Sequence, residues 1–186
     1  MRSIEWTPST ESYRLSARHA EVRSYPVDRD GHTRCPTSQQ RDGICAKIAE
    51  GATAEAIQYA LRIPVMWDAM EEDVTGPDLV LSEVVDVDVK MRYADERPEP
   101  DLILTLDRQP TDVYVLAELV RSDNEWTVTL TGWITHERAL DVAEPFHFGA
   151  KEKVLVPREA LRSMSSLPYY VAEQEIAARR QAGDSR

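Results

Sequence analysis

The chain is short of the residues that build the most recognisable sites. It has two cysteines, Cys35 and Cys45, whose spacing fits neither a zinc-ligand pattern nor a disulfide framework. His32 beside Cys35 would make half a metal site, and no second pair completes it. Cys45 falls on the apolar side of an expected helix and reads as core. Seven glycines form no phosphate-cradling loop. His136 and His147 lack the serine and acidic partners of a hydrolase triad. No apolar run approaches the roughly 20 residues needed to span a bilayer, and no basic-then-apolar leader opens the chain, so a membrane role is not expected. Repeats and low-complexity tracts are also missing. A cytoplasmic protein is expected.

What the chain has in excess is negative charge. Its 186 residues are 42% hydrophobic and 30% charged, which fits a soluble globular domain with one core, and they carry a net charge of −11. That sign argues against passive nucleic-acid binding. The excess is local: residues 51–120 hold 5 basic and 16 acidic side chains, while the segments on either side are nearly balanced. Clustered carboxylates repel one another, and bound cations relieve the repulsion. The run Glu71-Glu72-Asp73 reads more simply as a solvated face.

Residues 1–38, with Pro8, Pro26 and Pro36, read as an N-terminal arm in which Glu11 to Arg23 has helical character. Residues 39–62 read as the first firm helix, stopped by Pro64. At 100° per residue, Ile44, Cys45, Ile48, Ala52, Ala56, Tyr59 and Ile63 share one apolar arc. The same projection puts Glu50 on the solvent side and Glu55 at the edge of the arc, about 20° from Ile44. Gly51 weakens this helix by about 1 kcal/mol relative to alanine. Strands follow at 79–92, with a tight turn at Ser82-Glu83, then at 102–106, 112–119 and 125–134; the strand at 112–119 is the most apolar and is expected at the centre. Thr135 caps a short helix to Leu140. A brief strand at 154–156, a short helix from Pro157 to Met164 and an amphipathic helix at 168–180 complete the chain. The expectation is an α+β (mixed α/β) core, a central mixed β-sheet flanked by helices at 39–167, followed by a C-terminal helix and tail at 168–186.

Chemistry concentrates between Gly76 and Lys90. Gly76-Pro77-Asp78 is a turn leading into a strand, and from Val84 to Lys90 the alternation is strict. Val85, Val87 and Val89 take one face; Asp86, Asp88 and Lys90 take the other. Two carboxylates and an ammonium so placed are what metal-assisted phosphodiester hydrolysis requires: the acids hold a hard divalent cation and the lysine orients the attacking water. The strand alone also reads as an edge strand with a polar outer face.

Here the sequence resembles the PD-(D/E)xK nuclease superfamily, in its small stand-alone bacteriophage form. Pro77-Asp78 and Val87-Asp88-Val89-Lys90 carry the resemblance, with Ala54-Glu55 leading to Leu61-Arg62-Ile63-Pro64 before them. Thr111-Asp112-Val113-Tyr114-Val115-Leu116, Gly132-Trp133-Ile134 and Val156-Pro157-Arg158-Glu159-Ala160-Leu161 follow in the same order. Together they cover about residues 43–165. The resemblance implies a restriction-endonuclease-like core and a metal-dependent nuclease acting on DNA, with RNA not excluded. Asp78, Asp88, the Val89 carbonyl and Glu55 would hold Mg²⁺ or Mn²⁺, and Lys90 would position the water; Asp86 is a reserve ligand and Glu83 a weaker one. The four-cysteine iron–sulfur cluster of some relatives cannot be built. Met91-Arg92-Tyr93 stands where the family has a polar segment, and the next loop is acidic (Asp95, Glu96, Glu99, Asp101). Phosphate contacts would fall to Arg92, Arg97, Arg108, Lys151 and Lys153. The acidic surface keeps a second expectation open: a catalytically silent relative that binds and regulates or inhibits another protein. A homodimer is compatible with either.

Overall fold

The computed structural model describes residues 3–22, 36–67, 76–94, 101–105, 111–122, 125–148 and 151–183. His32, Cys35, Glu71, Glu72, Asp73, Asp95, Glu96, Arg97, Glu99 and Arg108 lie outside them, and the side chains of His147 and Lys151 are likewise not described.

Six strands form a curled mixed sheet in the order β1-β7-β6-β4-β3-β2. They are β1 (Ile4–Trp6), β2 (Val65–Met66), β3 (Leu79–Leu81), β4 (Val85–Tyr93), β6 (Val113–Ser122) and β7 (Glu125–Thr135). Every pairing is antiparallel except β4 with β6, where Asp88 stands opposite Tyr114 and Lys90 opposite Leu116. The central place expected for the strand at 112–119 is where β6 lies. A second sheet of three strands, in the order β5-β9-β8, is made by β5 (Leu102–Thr105), β8 (Glu144–Phe148) and β9 (Lys151–Val156). Among the described residues there are four helices: α1 (Thr10–Val22), α2 (Pro36–Ala60), α3 (His136–Val142) and α4 (Leu167–Gly183). The mixed α+β class expected from the sequence is the class observed.

The predicted turn between β3 and β4 is present. Ser82 and Glu83 occupy its two central positions with φ 48° and 62°, and Val84 N–H closes it on the Leu81 carbonyl at 3.0 Å. Val85, Val87 and Val89 are buried, while Asp86, Asp88 and Lys90 alternate to the other face as period two requires. Thr135 caps α3 by accepting the Arg138 backbone N–H. At the end of α2, Leu61 and Ile63 both donate to the Ile57 carbonyl, with Arg62 in the left-handed region at φ 61°.

The core has two parts, one on each face of the large sheet. The larger joins α2 to Leu79, Leu81, Val85, Val87, Val89, Val113, Val115, Leu119 and Trp133. The smaller packs Leu102, Leu104 and Val156 of the small sheet on Tyr114, Leu116 and Ile134, with Ala139 of α3. Three local expectations change. Residues 4–6 are an edge strand of the sheet and α1 packs on α2, so this part of the N-terminal segment belongs to the body. The short helix expected from Pro157 to Met164 is two 3₁₀ turns, Arg158–Ala160 and Met164–Ser166, because the Arg162 backbone between them exchanges two hydrogen bonds with Trp133. β8 was not expected at all.

Candidate functional site

Three elements bring a carboxylate each to one place. Asp78 precedes β3, Asp88 lies on β4, and Glu50 lies on α2. β3 pairs with β4 only as far as Leu79 opposite Val87. The next inward-facing position on the β3 side would be Pro77, which has no N–H to give. The Asp78 carboxylate, one residue on, accepts the Val89 N–H at 2.7 Å. A strand residue sends its N–H and its carbonyl to the same side, so the Val89 carbonyl also faces this open edge.

Asp88 and Lys90 form an ion pair, both largely buried. Asp78 and Asp88 lie within hydrogen-bonding reach of each other's carboxyl groups. Burial, then the charges of Glu50 and Asp88, push Asp78 up to about 8, against the pull of the Val89 N–H. Asp78 therefore stays protonated at neutral pH, where its carboxyl can donate to Asp88. Asp78, Asp88 and Lys90 are brought together, as the spacing predicted.

The helix acid is a correction. Glu50, expected to face water, is 6% exposed and belongs to this cluster. Burial raises its pKa; Lys47 and Trp67 oppose the rise and Asp88 adds to it. Lys47, one turn earlier on α2, places its ammonium 2.5 Å from Glu50 Oε2. Trp67 follows β2 and lays its ring on the helix backbone at Gly51, where a Cβ would sit 2.7 Å from Trp67 Cη2. Its Nε1 is buried beside Glu50, without a well-formed hydrogen bond among the described residues. The projection failed because α2 is covered on two sides, by the sheet and by α1. Ile57, fully buried and seven residues after Glu50, marks the second buried face and lies about 20° from Glu50 in projection. That was the signal in the sequence.

Glu55, the expected helix ligand, is engaged elsewhere. Its carboxylate accepts from Trp6 Nε1 at 3.0 Å, from the Ser9 N–H at 3.0 Å, from Ser12 Oγ at 2.6 Å and from the Ser9 hydroxyl. Burial would raise its pKa, but the hydroxyls of Ser12 and Ser9 and the Trp6 indole together hold it below the ordinary carboxylate value. Glu55 fastens the start of α1 to α2. The reserve acids also stand apart: Asp112 accepts the Asp86 N–H at 2.9 Å, Asp86 is raised by burial and by the Asp112 charge, and Glu83 is exposed in its turn.

On the Asp88 face, Tyr114 is buried and its hydroxyl meets His136 Nδ1 at 2.9 Å. Burial and the Asp88 charge push the phenol up to about 12, so it stays neutral. Further along, Glu118 holds Arg158 through both carboxylate oxygens, at 2.5 and 2.9 Å, and accepts from Thr131 at 2.6 Å.

Glu50, Asp78, Asp88 and the Val89 carbonyl form an all-oxygen donor set, the kind a hard divalent cation takes. The residues fit such an ion in the chemistry of their donors. Among the described residues, however, no three acidic, histidine or cysteine side chains already converge as a metal cluster. Lys47, the Val89 N–H and Lys90 each occupy one of the three carboxylates. No protein-family model, curated protein or solved structure matches the chain.

Proposed function

We propose that this protein is a metal-dependent nuclease that hydrolyses phosphodiester bonds, with DNA as its substrate. The observation that carries the reading is the meeting of Asp78, Asp88 and Lys90 at the open edge of β4, with Glu50 of α2 beside them. Glu50 takes the place that the resemblance had given to Glu55.

In this reading Glu50, Asp78, Asp88 and the Val89 carbonyl hold Mg²⁺ or Mn²⁺. The bound cation would lower the pKa of a water and neutralise charge developing on the phosphate. Lys90, next to Asp88, orients that water and stabilises the same charge through its ammonium. Tyr114, neutral and buried against Asp88, limits solvent on the strand side and so strengthens the local electrostatics.

The test is incubation of plasmid and single-stranded DNA with Mg²⁺ or Mn²⁺, against a chelator control and an Asp88→Asn variant. Cation-dependent cleavage lost in the variant supports the reading; no cleavage under either cation overturns it. RNA in the same assay decides the polymer.

One observation favours a second reading, a silent member of the same superfamily that binds a basic protein surface. Each of the three carboxylates already has an internal donor, so the cluster can fold without a cation. Absence of cleavage together with absence of Mn²⁺ binding would select it.

A further inference from the structure

The site contains one more ammonium than its motif accounts for. Lys90 belongs to the strand pattern and pairs with Asp88; Lys47 belongs to no such pattern. Its side chain is 13% exposed and its partner Glu50 8%. A lysine on a helix ordinarily runs its stem over apolar surface and puts its head in water. Desolvating both partners of an ion pair gives little net stability, so the buried arrangement is poorly explained as a stabilising device. Its place in the structure is what is distinctive. The ammonium sits on an oxygen of the carboxylate that α2 contributes to the Asp78–Asp88 pair.

We propose that Lys47 is a built-in competitor for the divalent cation, holding the place on Glu50 that a metal ion would take and thereby setting the cation concentration at which the site fills. The inference rests on the metal-site reading above. With the Lys47 ammonium on Oε2, Glu50 has at most Oε1 to offer a cation, and like charges so near repel strongly in a buried setting. Filling the site is therefore opposed until the Lys47 head leaves Glu50. Its flexible four-carbon stem allows this without moving the helix. Trp67 packs on the helix backbone at Gly51, next to Glu50, so the flexible lysine is the part that yields.

The test measures Mn²⁺ binding to the metal-free protein by calorimetry, with no DNA present. Lys47→Met should tighten Mn²⁺ binding by about tenfold. The gain should vanish when Glu50→Gln is present as well, because the competition then has no object. Should Lys47→Met fail to fold, Lys47→Gln keeps a neutral donor beside Glu50. Its thermal midpoint should rise more on adding Mn²⁺ than that of the wild type. Equal affinity in wild type and variant overturns the proposal, as does a gain that persists with Glu50→Gln, which would reflect only the general field of one charge. Absence of Mn²⁺ binding in every variant overturns it too. Failure of the nuclease reading is a separate result: Mn²⁺ binding with the expected Lys47 dependence, but no DNA cleavage.

Discussion

The Asp78 carboxylate accepts the Val89 N–H at 2.7 Å, on β4 just beyond the last residue of its hairpin partner. A side chain thus replaces a ladder hydrogen bond, and a carboxylate is fixed beside an acidic neighbour. The backbone holds it there although its charge is unwelcome, and that tension makes the site sensitive to pH.

The pH dependence follows in sign. Asp78 has an ordinary value of 3.8 and a folded value of about 8, so the fold favours its neutral form. That contribution to stability is complete below about 4 and is lost as pH rises through about 8. Denaturant titrations in chelator should show the metal-free protein weakening across this window. Asp78→Asn should flatten the decline and gain on the order of a few kcal/mol at the alkaline end. Mn²⁺, which favours the ionised form, should offset the alkaline loss in the wild type only.

Glu50→Gln and Glu55→Gln should separate by property. Glu50→Gln should lower cleavage at least tenfold, with a smaller change in stability because Lys47 keeps a neutral acceptor. Glu55→Gln weakens the charge-assisted hydrogen bonds that fasten Trp6, Ser9 and Ser12. It should cost about 1–3 kcal/mol and leave kcat close to wild type. Paired denaturation and cleavage measurements check both.

Gly51→Ala sets two effects against each other. Alanine favours a helix over glycine by about 1 kcal/mol. The new Cβ would lie 2.7 Å from Trp67 Cη2, too close for any real contact with a rigid ring, and 3.0 Å from Ser12 Oγ. The clash should win, with a net loss of about 1–3 kcal/mol in urea denaturation. Adding Trp67→Leu should recover part of that loss.

Arg158→Ala should cost about 3 kcal/mol, because it leaves the buried Glu118 carboxylate with Thr131 as its remaining donor here. Thermal melts of Arg158→Ala and of Arg158→Ala with Glu118→Leu check this; the double variant should be the more stable.

The strand chemistry was legible because a sheet buried on one face enforces a two-residue period, and Val85, Val87 and Val89 keep it without a break. Asp88 and Lys90 were placed by the same rule. Glu50 was not, because a projection with one buried arc assumes one neighbour, and α2 has the sheet on one side and α1 on another. Lys47 and Trp67 were hidden for a related reason, since their part in the site depends on which face of α2 meets the sheet. β8 escaped notice because Glu144-Pro145-Phe146 reads as a loop; an edge strand tolerates the proline, and β8 is an edge. β1 is three residues long, too short for any periodicity.

The parallel pairing of β4 with β6 has a consequence for how the chain folds. The β3–β4 and β6–β7 hairpins can each form locally, but no turn can join β4 to β6. The segment between them includes β5, whose partner is β9, about fifty residues further on. Neither sheet can close before most of the chain is present. The seam that unites the hairpins, with Asp88 on one side and Tyr114 on the other, depends on contacts of long sequence separation, which makes it a late and slow step. The acidic pair is already local to the β3–β4 hairpin by then, and it gains its helix carboxylate when α2 docks.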